Sequence, residues 1–366
     1  MTLFPRSSNL CCEVDVLVVG LGPAGGSAML AAASKGLNVV GVDRKSVIGM
    51  PVQCAEFVPV PLRSYCAAAG IVSQPVSSLI TTLPDGSQTQ AAMQGLMIRR
   101  SCLDQNLVER GVKAGARYYS ATQLLSIRFN DHEALVRTPL GLKRIKYRFV
   151  IAADGPCSQL ARLLGLPALT VIKTQQYTVP LVKPLTDTYV WLSEVLPGGY
   201  AWLFPKRNSA HVGCGAVSEA DLKYHLQRLH RKLVSEGLVE AQVVARTGGK
   251  IPVAGIRSVL TTDQVLFVGD AAGLTHPITG AGIASAVASG EMAGHAVAEA
   301  LYCDNNKALT EYATEIQDVY GPSYSLAVSK RQYLLDQLQL NIPRERESLF
   351  RSSWIGFKNY YRSTEL

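Results

Sequence analysis

The chain has 366 residues, 48% of them hydrophobic and 17% charged, which is typical of a well-buried globular protein and excludes intrinsic disorder. This length suffices for two domains, or for one large domain with an insertion. The formal net charge of +8 favours an anionic partner, such as a phosphorylated substrate or an acidic membrane surface. The basic residues are scattered, which disfavours nucleic acid as a partner.

Eight cysteines occur without a CxxC pair, and no histidine spacing suits zinc. We therefore expect a reduced cytosolic protein without a structural metal. The N-terminal residues lack a basic segment and a long apolar core, and no apolar stretch reaches the roughly 18 residues that a membrane span needs. The expected location is the cytoplasm, at most peripheral on the inner face of a membrane.

The first predicted unit spans residues 14–43 and has the order strand, glycine turn, helix, strand and acid. Its parts are the strand Val14–Val19, the glycines of a GxGxxG motif, the helix Pro23–Lys35, the strand Asn38–Val42 and the terminal Asp43. This order suits an adenine dinucleotide, because the glycines allow a tight turn and a close approach to a pyrophosphate, and the helix start offers free N–H groups. The alternative is a buried βαβ unit without a ligand.

The same unit supplies the first candidate cofactor ligands. The carboxylate of Asp43 lies where ribose hydroxyls are bound in such units. We predict contacts with the dinucleotide from Gly20, Gly22, Pro23, Ala24, Gly25, Asp43 and Arg44. This stretch alone does not distinguish NAD(P) from FAD.

A loop over residues 44–57, rich in small and polar residues, follows and contains Cys54 and Glu56. The next predicted elements are a helix over 61–70, strands over 80–97, a helix over 98–114 with Ser101 as its N-cap, and two or three strands over 118–153. The last strand ends at Asp154-Gly155, and Ser158 is placed to cap the helix that carries Arg162.

Residues 177–217 change to alternating, aromatic-rich runs with short turns, which predicts an antiparallel sheet inserted into the α/β domain. A helix over 219–236, capped by Ser218, and a buried strand over 264–268 follow. Helices are predicted over 282–302 and onward to about residue 340.

The stretch 264–283 repeats the logic of the first unit: a strand, a glycine-containing loop and the start of a helix. We predict cofactor contacts from Gly269, Asp270, Gly280, Gly282 and Ile283. The helix start carries about half a positive charge, which near a flavin would favour the anionic reduced form by on the order of 1 kcal/mol. The alternative is a plain strand-turn-helix.

The GxGxxG motif, the central Asp154-Gly155 and the late Gly269-Asp270 occur in an order that resembles the p-hydroxybenzoate hydroxylase superfamily of FAD enzymes. The resemblance implies an α/β fold, with a Rossmann-like FAD-binding domain, an inserted antiparallel β-sheet substrate domain and C-terminal helices. It implies FAD as the cofactor, with Asp154 among its contacts, Asp270 at the ribityl chain and Arg100 near the ribityl chain and phosphates. For Arg100 the alternative is a surface helix cap.

The motif positions predict a discontinuous domain organisation. The FAD-binding domain comprises 1–70, 98–165 and 248–320, the substrate-binding domain 71–97 and 166–247, and a C-terminal helical segment 321–366.

Two stretches resemble the geranylgeranyl reductase family within that superfamily. Residues 200–215 match its YxWxFPx(7–8)GxG signature, and residues 51–56, PVQCAE, are similar to its PxxCGE loop with Ala55 in place of glycine. The resemblance implies reduction of carbon–carbon double bonds in an isoprenoid lipid or a similarly apolar substrate, by hydride transfer from reduced flavin.

The aromatic residues of this signature are the candidate substrate contacts. A strand would place Tyr200, Trp202 and Phe204 on one sheet face, where a prenyl chain could lie. Ordinary core packing is the alternative, and the two are compatible.

Three residues are candidates for catalysis. The family match implies that Cys54 lies close to the flavin, where a thiol could relay a proton or gate the redox state; the alternative is a small buried hydrophobe. Glu56 would orient the loop. His276 would act as a general acid or merely fill the turn. A second dinucleotide fingerprint is absent from the sequence, so NAD(P)H would bind transiently, or a ferredoxin-like protein would donate the electrons.

The C-terminal residues 343–366 place aromatic side chains at helical spacing beside a basic face. Such an amphipathic helix would lie on an anionic membrane or pack across the substrate domain as a lid.

The same scaffold also allows other functions. One is a monooxygenase or halogenase, since GYAWLFP distantly resembles the halogenase sequence GWxWxIP. Another is an oxidase of a small natural product, and a third is a non-catalytic flavin- and lipid-binding resistance protein.

Overall fold

A computed structural model describes residues 11–217, 221–304, 307–340 and 346–362. Its strands are β1 (Cys11–Val19), β2 (Val39–Val42), β3 (Phe57–Pro59), β4 (Val72–Thr82), β5 (Gln88–Ile98), β6 (Arg117–Tyr119), β7 (Gln123–Arg128), β8 (Glu133–Thr138), β9 (Gly141–Ala152), β10 (Val171–Pro180), β11 (Thr188–Trp191), β12 (Tyr200–Lys206), β13 (Ser209–Ala216), β14 (Ala245–Pro252) and β15 (Val265–Phe267). Its α-helices are α1 (Pro23–Ser34), α2 (Arg100–Lys113), α3 (Gln159–Leu163), α4 (Leu222–Ser235), α5 (Ile283–Cys303), α6 (Lys307–Leu340) and α7 (Arg346–Ser353).

The first sheet has the predicted βαβ unit at its centre. Strand β1 pairs in parallel with β2 and with β9, while β6 and β15 extend the parallel part at its two edges. The first half of β9 also pairs with β8 in an antiparallel hairpin, and β8 pairs with β7. Helices α1 and α5 contact each other beside this sheet, whose apolar strands form the largest core. The carboxyl ends of the parallel strands therefore lie at one edge, where α1 and α5 begin.

The second sheet has the strand order β14-β10-β13-β12-β11-β4-β5-β3. All its pairs are antiparallel except β11 with β4. One face packs against α4 through residues such as Leu226 and Leu233. The opposite face packs against α6, α7 and the residues that follow α7. The predicted α/β fold with a second, antiparallel sheet and C-terminal helices is confirmed.

The start of α2 differs from the prediction. The helix begins at Arg100 with Arg99 as its N-cap and without a side-chain cap, so Ser101 is its second residue and the predicted Ser101 cap is wrong. The carboxylate of Glu56 accepts a hydrogen bond from the N–H of Arg100 at 2.6 Å. A residue distant in sequence therefore caps this helix, which local sequence rules do not anticipate.

Two other predicted helices differ from the structure in their type or in their first residue. The helix over 61–70 is a 3₁₀ helix over Val60–Cys66. Helix α4 begins at Leu222 with Asp221 as its N-cap. The predicted cap Ser218 lies outside the described residues.

The prediction of a single C-terminal amphipathic helix is also wrong. Helix α7 ends at Ser353, and a short 3₁₀ helix over Lys358–Tyr361 follows. Phe350 and Trp354 are 3% and 5% exposed, so these aromatic side chains pack inside the protein. Across the described ranges, no helix is both long and apolar enough to span a membrane.

Candidate active site

A cavity of about 520 Å³ lies between the two sheets. At one end its walls are the glycine turn at the start of α1 and the start of α5. At the other end they are the aromatic residues of β12 and two residues that follow α7, Trp354 and Ile355. The predicted cofactor motifs and the predicted aromatic signature therefore border the same cavity, although they are far apart in sequence.

The glycine turn after β1 has the close packing that its sequence predicts. A Cβ atom at Gly25 would lie 1.8 Å from the carbonyl oxygen of Gly20, so only glycine lets α1 approach the end of β1. Gly22, Pro23 and Ala24 line the cavity, whereas Gly20 and Gly25 shape the turn behind them. The N-terminus of α1 opens on the cavity with no side-chain cap of its own.

Asp43 lies next to the glycine turn and not in the cavity wall. Its two carboxylate oxygens accept hydrogen bonds from the N–H groups of Leu21 and Lys45, both at 2.8 Å. A carboxylate has about four lone-pair positions, so each oxygen retains capacity for a ribose hydroxyl. Arg44 is exposed and does not line the cavity.

The late motif borders the same cavity. Asp270 accepts a hydrogen bond from the Thr275 hydroxyl at 2.7 Å. Burial raises the pKa of Asp270, while the Thr275 hydrogen bond and the positive charge of Arg100 act in the opposite direction. Gly282 is the N-cap of α5, and together with Gly280 and Ile283 it lines the cavity. Gly269 lies behind them at the end of the strand.

The central Asp154-Gly155 motif organises the turn into α3. One oxygen of Asp154 accepts hydrogen bonds from the N–H groups of Gln159 and Leu160, at 2.6 and 3.1 Å. Ser158 accepts one from Ala161 at 3.0 Å, which confirms the predicted cap. The other oxygen of Asp154 is buried without a hydrogen-bond partner. Asp154 thus supports the turn, while Gly155 contributes to the cavity wall.

Arg100 brings a positive charge to the cofactor end of the cavity. Its Nε atom lies 3.6 Å from Asp104 and is buried without a hydrogen-bond partner. Burial would lower the pKa of Arg100, but the negative charges of Asp104, of Cys54 in its thiolate form and of Asp270 outweigh that effect and raise it. Asp104 is 1% exposed, and burial raises its pKa to about 6. Sequence reasoning missed Asp104, whose only signal is its i,i+4 spacing from Arg100.

These residues fit a bound FAD. Two helix N-termini, those of α1 and α5, open on one cavity, and each offers N–H groups to an anion or to an electron-rich ring edge. The guanidinium of Arg100 lines the same cavity and brings the positive charge that a phosphate ligand requires.

Cys54 lies in the cavity wall between the cofactor end and the aromatic end. The N–H of Glu56 donates a hydrogen bond to its sulfur at 3.2 Å. Burial raises the pKa of the Cys54 thiol, while Arg100 and this N–H oppose the effect. The thiol is therefore protonated at neutral pH, and the groups that would stabilise its thiolate are already in place.

Glu56 is held by charges from the second sheet. Glu56 is 1% exposed and has a φ of 67°. Its carboxylate contacts Lys206 and lies 2.6 Å from Nε2 of His211. Burial alone would raise the pKa of Glu56, but His211 and Lys206 outweigh burial and lower it. Lys206 and His211 were missed by sequence reasoning. A signal existed for His211, because it pairs across strands with Phe204 and so shares the aromatic face.

His276 lies in the turn before α5 and not in the cavity wall. Its Nδ1 accepts hydrogen bonds from the N–H groups of Ile278 and Thr279, at 3.3 and 3.4 Å, and its Nε2 is buried without a hydrogen-bond partner. Burial lowers the pKa of His276 to about 4, so the ring is neutral at physiological pH. This placement favours a turn-forming role over a general-acid role.

The aromatic residues of β12 all line the cavity. Tyr200, Trp202 and Phe204 face it, whereas Ala201 and Leu203 pack on the opposite side of the sheet against α4. Successive side chains of a strand alternate between its faces, so this is the arrangement that the sequence predicts. The same residues also belong to the core beside α6 and α7, and both interpretations of their role hold.

The glycines of the GxG signature make room for the aromatic face. Trp202 pairs with Gly213 across strands, and a Cβ atom at Gly213 would lie 2.2 Å from the indole ring. The indole Nε1 donates a hydrogen bond to Gln176 at 3.2 Å, and the Gln176 amide donates one to the carbonyl of Cys54, also at 3.2 Å. Gln176, which sequence reasoning missed, therefore links the aromatic face to the Cys54 loop.

Comparison with known proteins identifies relatives that share this architecture. The chain is 32% identical to a digeranylgeranylglycerophospholipid reductase of Methanopyrus kandleri, over 93% of this chain and 92% of that protein. It is 33% identical to a protein of the same description from Methanosphaera stadtmanae, over 88% of each chain. Residues 215–345 match the family described as Lycopene cyclase protein.

Solved structures agree with these relatives. A geranylgeranyl bacteriochlorophyll reductase-like protein from Thermoplasma acidophilum superimposes with a TM-score of 0.82 at 27% identity, covering 90% of each chain. The flavin-dependent halogenase CmlS, at 17% identity and a TM-score of 0.72, shares the fold; it covers 92% of this chain and 67% of that one. The chain belongs to the geranylgeranyl reductase family of FAD-dependent oxidoreductases.

Proposed function

We propose that this protein uses FAD to saturate carbon–carbon double bonds in the isoprenoid chains of a lipid. The observation that carries the proposal is that Cys54 and the aromatic face of β12 border one cavity with the predicted FAD site. The names of these two relatives support an isoprenoid lipid as the substrate. The 27%-identical structural relative supports the same class of reaction.

Saturation of an isolated alkene requires a hydride at one carbon and a proton at the other. Reduced FAD, when bound, supplies the hydride. The thiol of Cys54 donates the proton to the second alkene carbon, because it is a protonated acid in the cavity wall. Its conjugate thiolate is stabilised by the Arg100 guanidinium and by the N–H of Glu56.

The aromatic face binds and orients the substrate. Tyr200, Trp202 and Phe204 offer an apolar surface that excludes water from the alkene. The hydroxyl of Tyr200 donates a hydrogen bond to the carbonyl of Thr279, so this ring is fixed between the second sheet and the loop before α5. The substrate is therefore held next to the predicted cofactor end of the cavity.

Residues around the cofactor end bind FAD in this proposal. The glycine turn and the α1 N-terminus bind the pyrophosphate, Asp43 a ribose, and Arg100 and Asp270 the ribityl and phosphate groups. Glu56 positions the Cys54 loop through His211 and Lys206. His276 shapes the turn before α5.

The electron donor in this proposal is NAD(P)H that binds transiently or a reduced ferredoxin-like protein. The flavin band of the purified protein is followed under anaerobic conditions with NADH, with NADPH and with reduced ferredoxin. The donor is the one that bleaches the band at a rate matching turnover.

Product mass tests the reaction itself. The reduced protein is incubated anaerobically with geranylgeranylated glycerophospholipids, and the molecular mass of the lipid product is measured by mass spectrometry. We expect a gain of two hydrogens for each bond reduced, together with reoxidation of the flavin. A gain of oxygen or halogen in air, a loss of two hydrogens, or binding without reoxidation would contradict the proposal.

A further inference from the structure

The apolar end of the cavity is closed by residues of the C-terminal segment, here residues 346–362. Trp354 and Ile355 line the cavity together with Tyr200 and Val190. The Trp354 ring packs edge-to-face on Tyr200, with centroids 5.1 Å apart and an interplanar angle of 71°. The second sheet and the C-terminal segment therefore both contribute walls at this end of the cavity.

Several contacts hold this segment in place. Arg346 forms an ion pair with Glu194 in the loop before β12. Lys330 of α6 donates a hydrogen bond to the carbonyl of Arg362 at 3.1 Å. Tyr360 is 1% exposed, so the segment is packed after the Trp354 position as well as before it. The wall is consequently a fixed part of the fold.

The neighbouring helix α6 is joined to both halves of the cavity. The guanidinium of Arg331, 6% exposed, donates hydrogen bonds to the carbonyl of Gly198, before β12, and to that of Pro277, before α5, the latter at 3.2 Å. One residue thus ties α6 to the turn that positions Tyr200 and to the loop at the cofactor end. The spacing between the cofactor end and the Trp354 wall is therefore set by packing and hydrogen bonds.

We propose that Trp354, supported by Ile355, limits how far an isoprenoid chain extends past Tyr200 and so sets the chain length that the site prefers. The inference rests on the proposed function of the cavity as an isoprenoid site. Along β12, the aromatic face from Phe204 to Tyr200 spans about 13 Å of strand. The Trp354 indole packs on the Tyr200 ring at the end of this face, so a chain lying on the face abuts the indole there. Each further methylene that the cavity buries strengthens binding about fourfold. A chain that meets the indole gains nothing from additional length.

Binding to the oxidised, FAD-loaded protein tests this inference without turnover. The flavin absorbance is titrated with geraniol, farnesol, geranylgeraniol and geranylfarnesol, each one isoprene unit longer than the one before. Each alcohol is added from ethanol without detergent, so that the reference state is water. For the wild type, affinity should rise with length and then stop rising. In Trp354→Ala the rise should continue for one more unit, and the alcohol at that length should bind at least about tenfold more tightly than to the wild type, with full burial of its five further carbons giving up to about a thousandfold.

Trp191→Ala is the matched control, because Trp191 lies in the same sheet and packs on Tyr189 away from the cavity wall. This control should keep the wild-type dependence of affinity on chain length. An unchanged length dependence in Trp354→Ala would overturn the inference. If Trp354→Ala does not fold, Trp354→Phe and Ile355→Ala replace it, and both must move the limit toward longer chains; an unmoved limit in either overturns the inference.

Turnover distinguishes this inference from the proposed function. In one outcome, the wild type binds the alcohols with a length limit that Trp354→Ala removes, yet reduces none of the lipids. That result supports Trp354 as the limit on chain length and contradicts the reductase function. A wild type that reduces prenyl lipids with the same length preference as Trp354→Ala supports the function and contradicts the wall.

Discussion

The carboxylate of Glu56 accepts a hydrogen bond from the N–H of Arg100 at 2.6 Å, across 44 residues of sequence. The same carboxylate contacts His211 and Lys206 of the second sheet. Glu56 therefore joins the Cys54 loop, the start of α2 and the aromatic sheet at a single buried point. This junction positions the thiol relative to both ends of the cavity.

Glu56→Gln should destabilise the protein by about 3 kcal/mol, because it leaves Lys206 and His211 around a buried neutral amide. Urea unfolding measures the change. Glu236→Gln, which removes an exposed i,i+4 ion pair with Lys232, is the control and should change stability by less than about 0.5 kcal/mol. Equal effects of the two substitutions would contradict the role assigned to Glu56.

The pH dependence of stability should carry the signature of Glu56. Its pKa is lower in the folded than in the unfolded protein, so the unfolded state binds more protons and stability rises with pH. The contribution is fully present above the unfolded value of about 4.3 and is lost as the pH falls through the lower folded value. Urea unfolding in acid should show a steeper loss of stability for the wild type than for Glu56→Gln. Parallel curves would rule out this assignment.

Cys54→Ser should retain FAD and lose turnover by about a hundredfold or more, because a serine hydroxyl is too weak an acid to donate the proton. The flavin-to-protein absorbance ratio measures retention, and the mass of the lipid product measures turnover. Cys157→Ser, at an exposed cysteine, is the control and should remain active. Full activity of Cys54→Ser would show that the thiol is not the proton donor.

Gly213→Ala and Trp202→Ala should be strongly coupled. A Cβ atom at Gly213 overlaps the Trp202 indole, so Gly213→Ala alone should cost about 1–3 kcal/mol of stability. In the Trp202→Ala background the same change should cost less, because the indole is gone and only the close contact with the carbonyl oxygen of Gln175, at 2.8 Å, remains. A double-mutant cycle by chemical denaturation measures the coupling. Additive costs would mean that the signature glycine serves another purpose.

Arg100→Met should weaken FAD binding by about tenfold to a hundredfold, the cost of losing a hydrogen bond to a charged group. Equilibrium dialysis of FAD against the apoprotein measures the affinity. Arg99→Met is the neighbouring control, because Arg99 is exposed and does not line the cavity. If both substitutions left the affinity unchanged, the cofactor contact of Arg100 would be excluded.

Local patterns in the sequence were enough to predict the two halves of the site. The glycine turn, its flanking strands and α1 depend on contacts within about thirty residues, as do the alternating Tyr200, Trp202 and Phe204 on one strand face. Ser158 caps α3 as predicted, because its hydrogen bond reaches only three residues ahead. Such features follow from backbone geometry and short-range chemistry.

Contacts between distant segments decided the rest. The start of α2 depends on Glu56, and Glu56 in turn depends on His211, 155 residues away. The spacing of the C-terminal aromatic residues predicts one amphipathic helix. The helix instead ends at Ser353, and the Trp354 ring packs on Tyr200. Burial against a sheet outweighs helical periodicity there, because packing energies exceed helix propensities of a few tenths of a kcal/mol per residue. The sequence alone therefore predicted the glycine turn and the aromatic strand face, because both depend on short-range geometry. Only the tertiary structure decided which distant residues hold them in place and where the cavity ends.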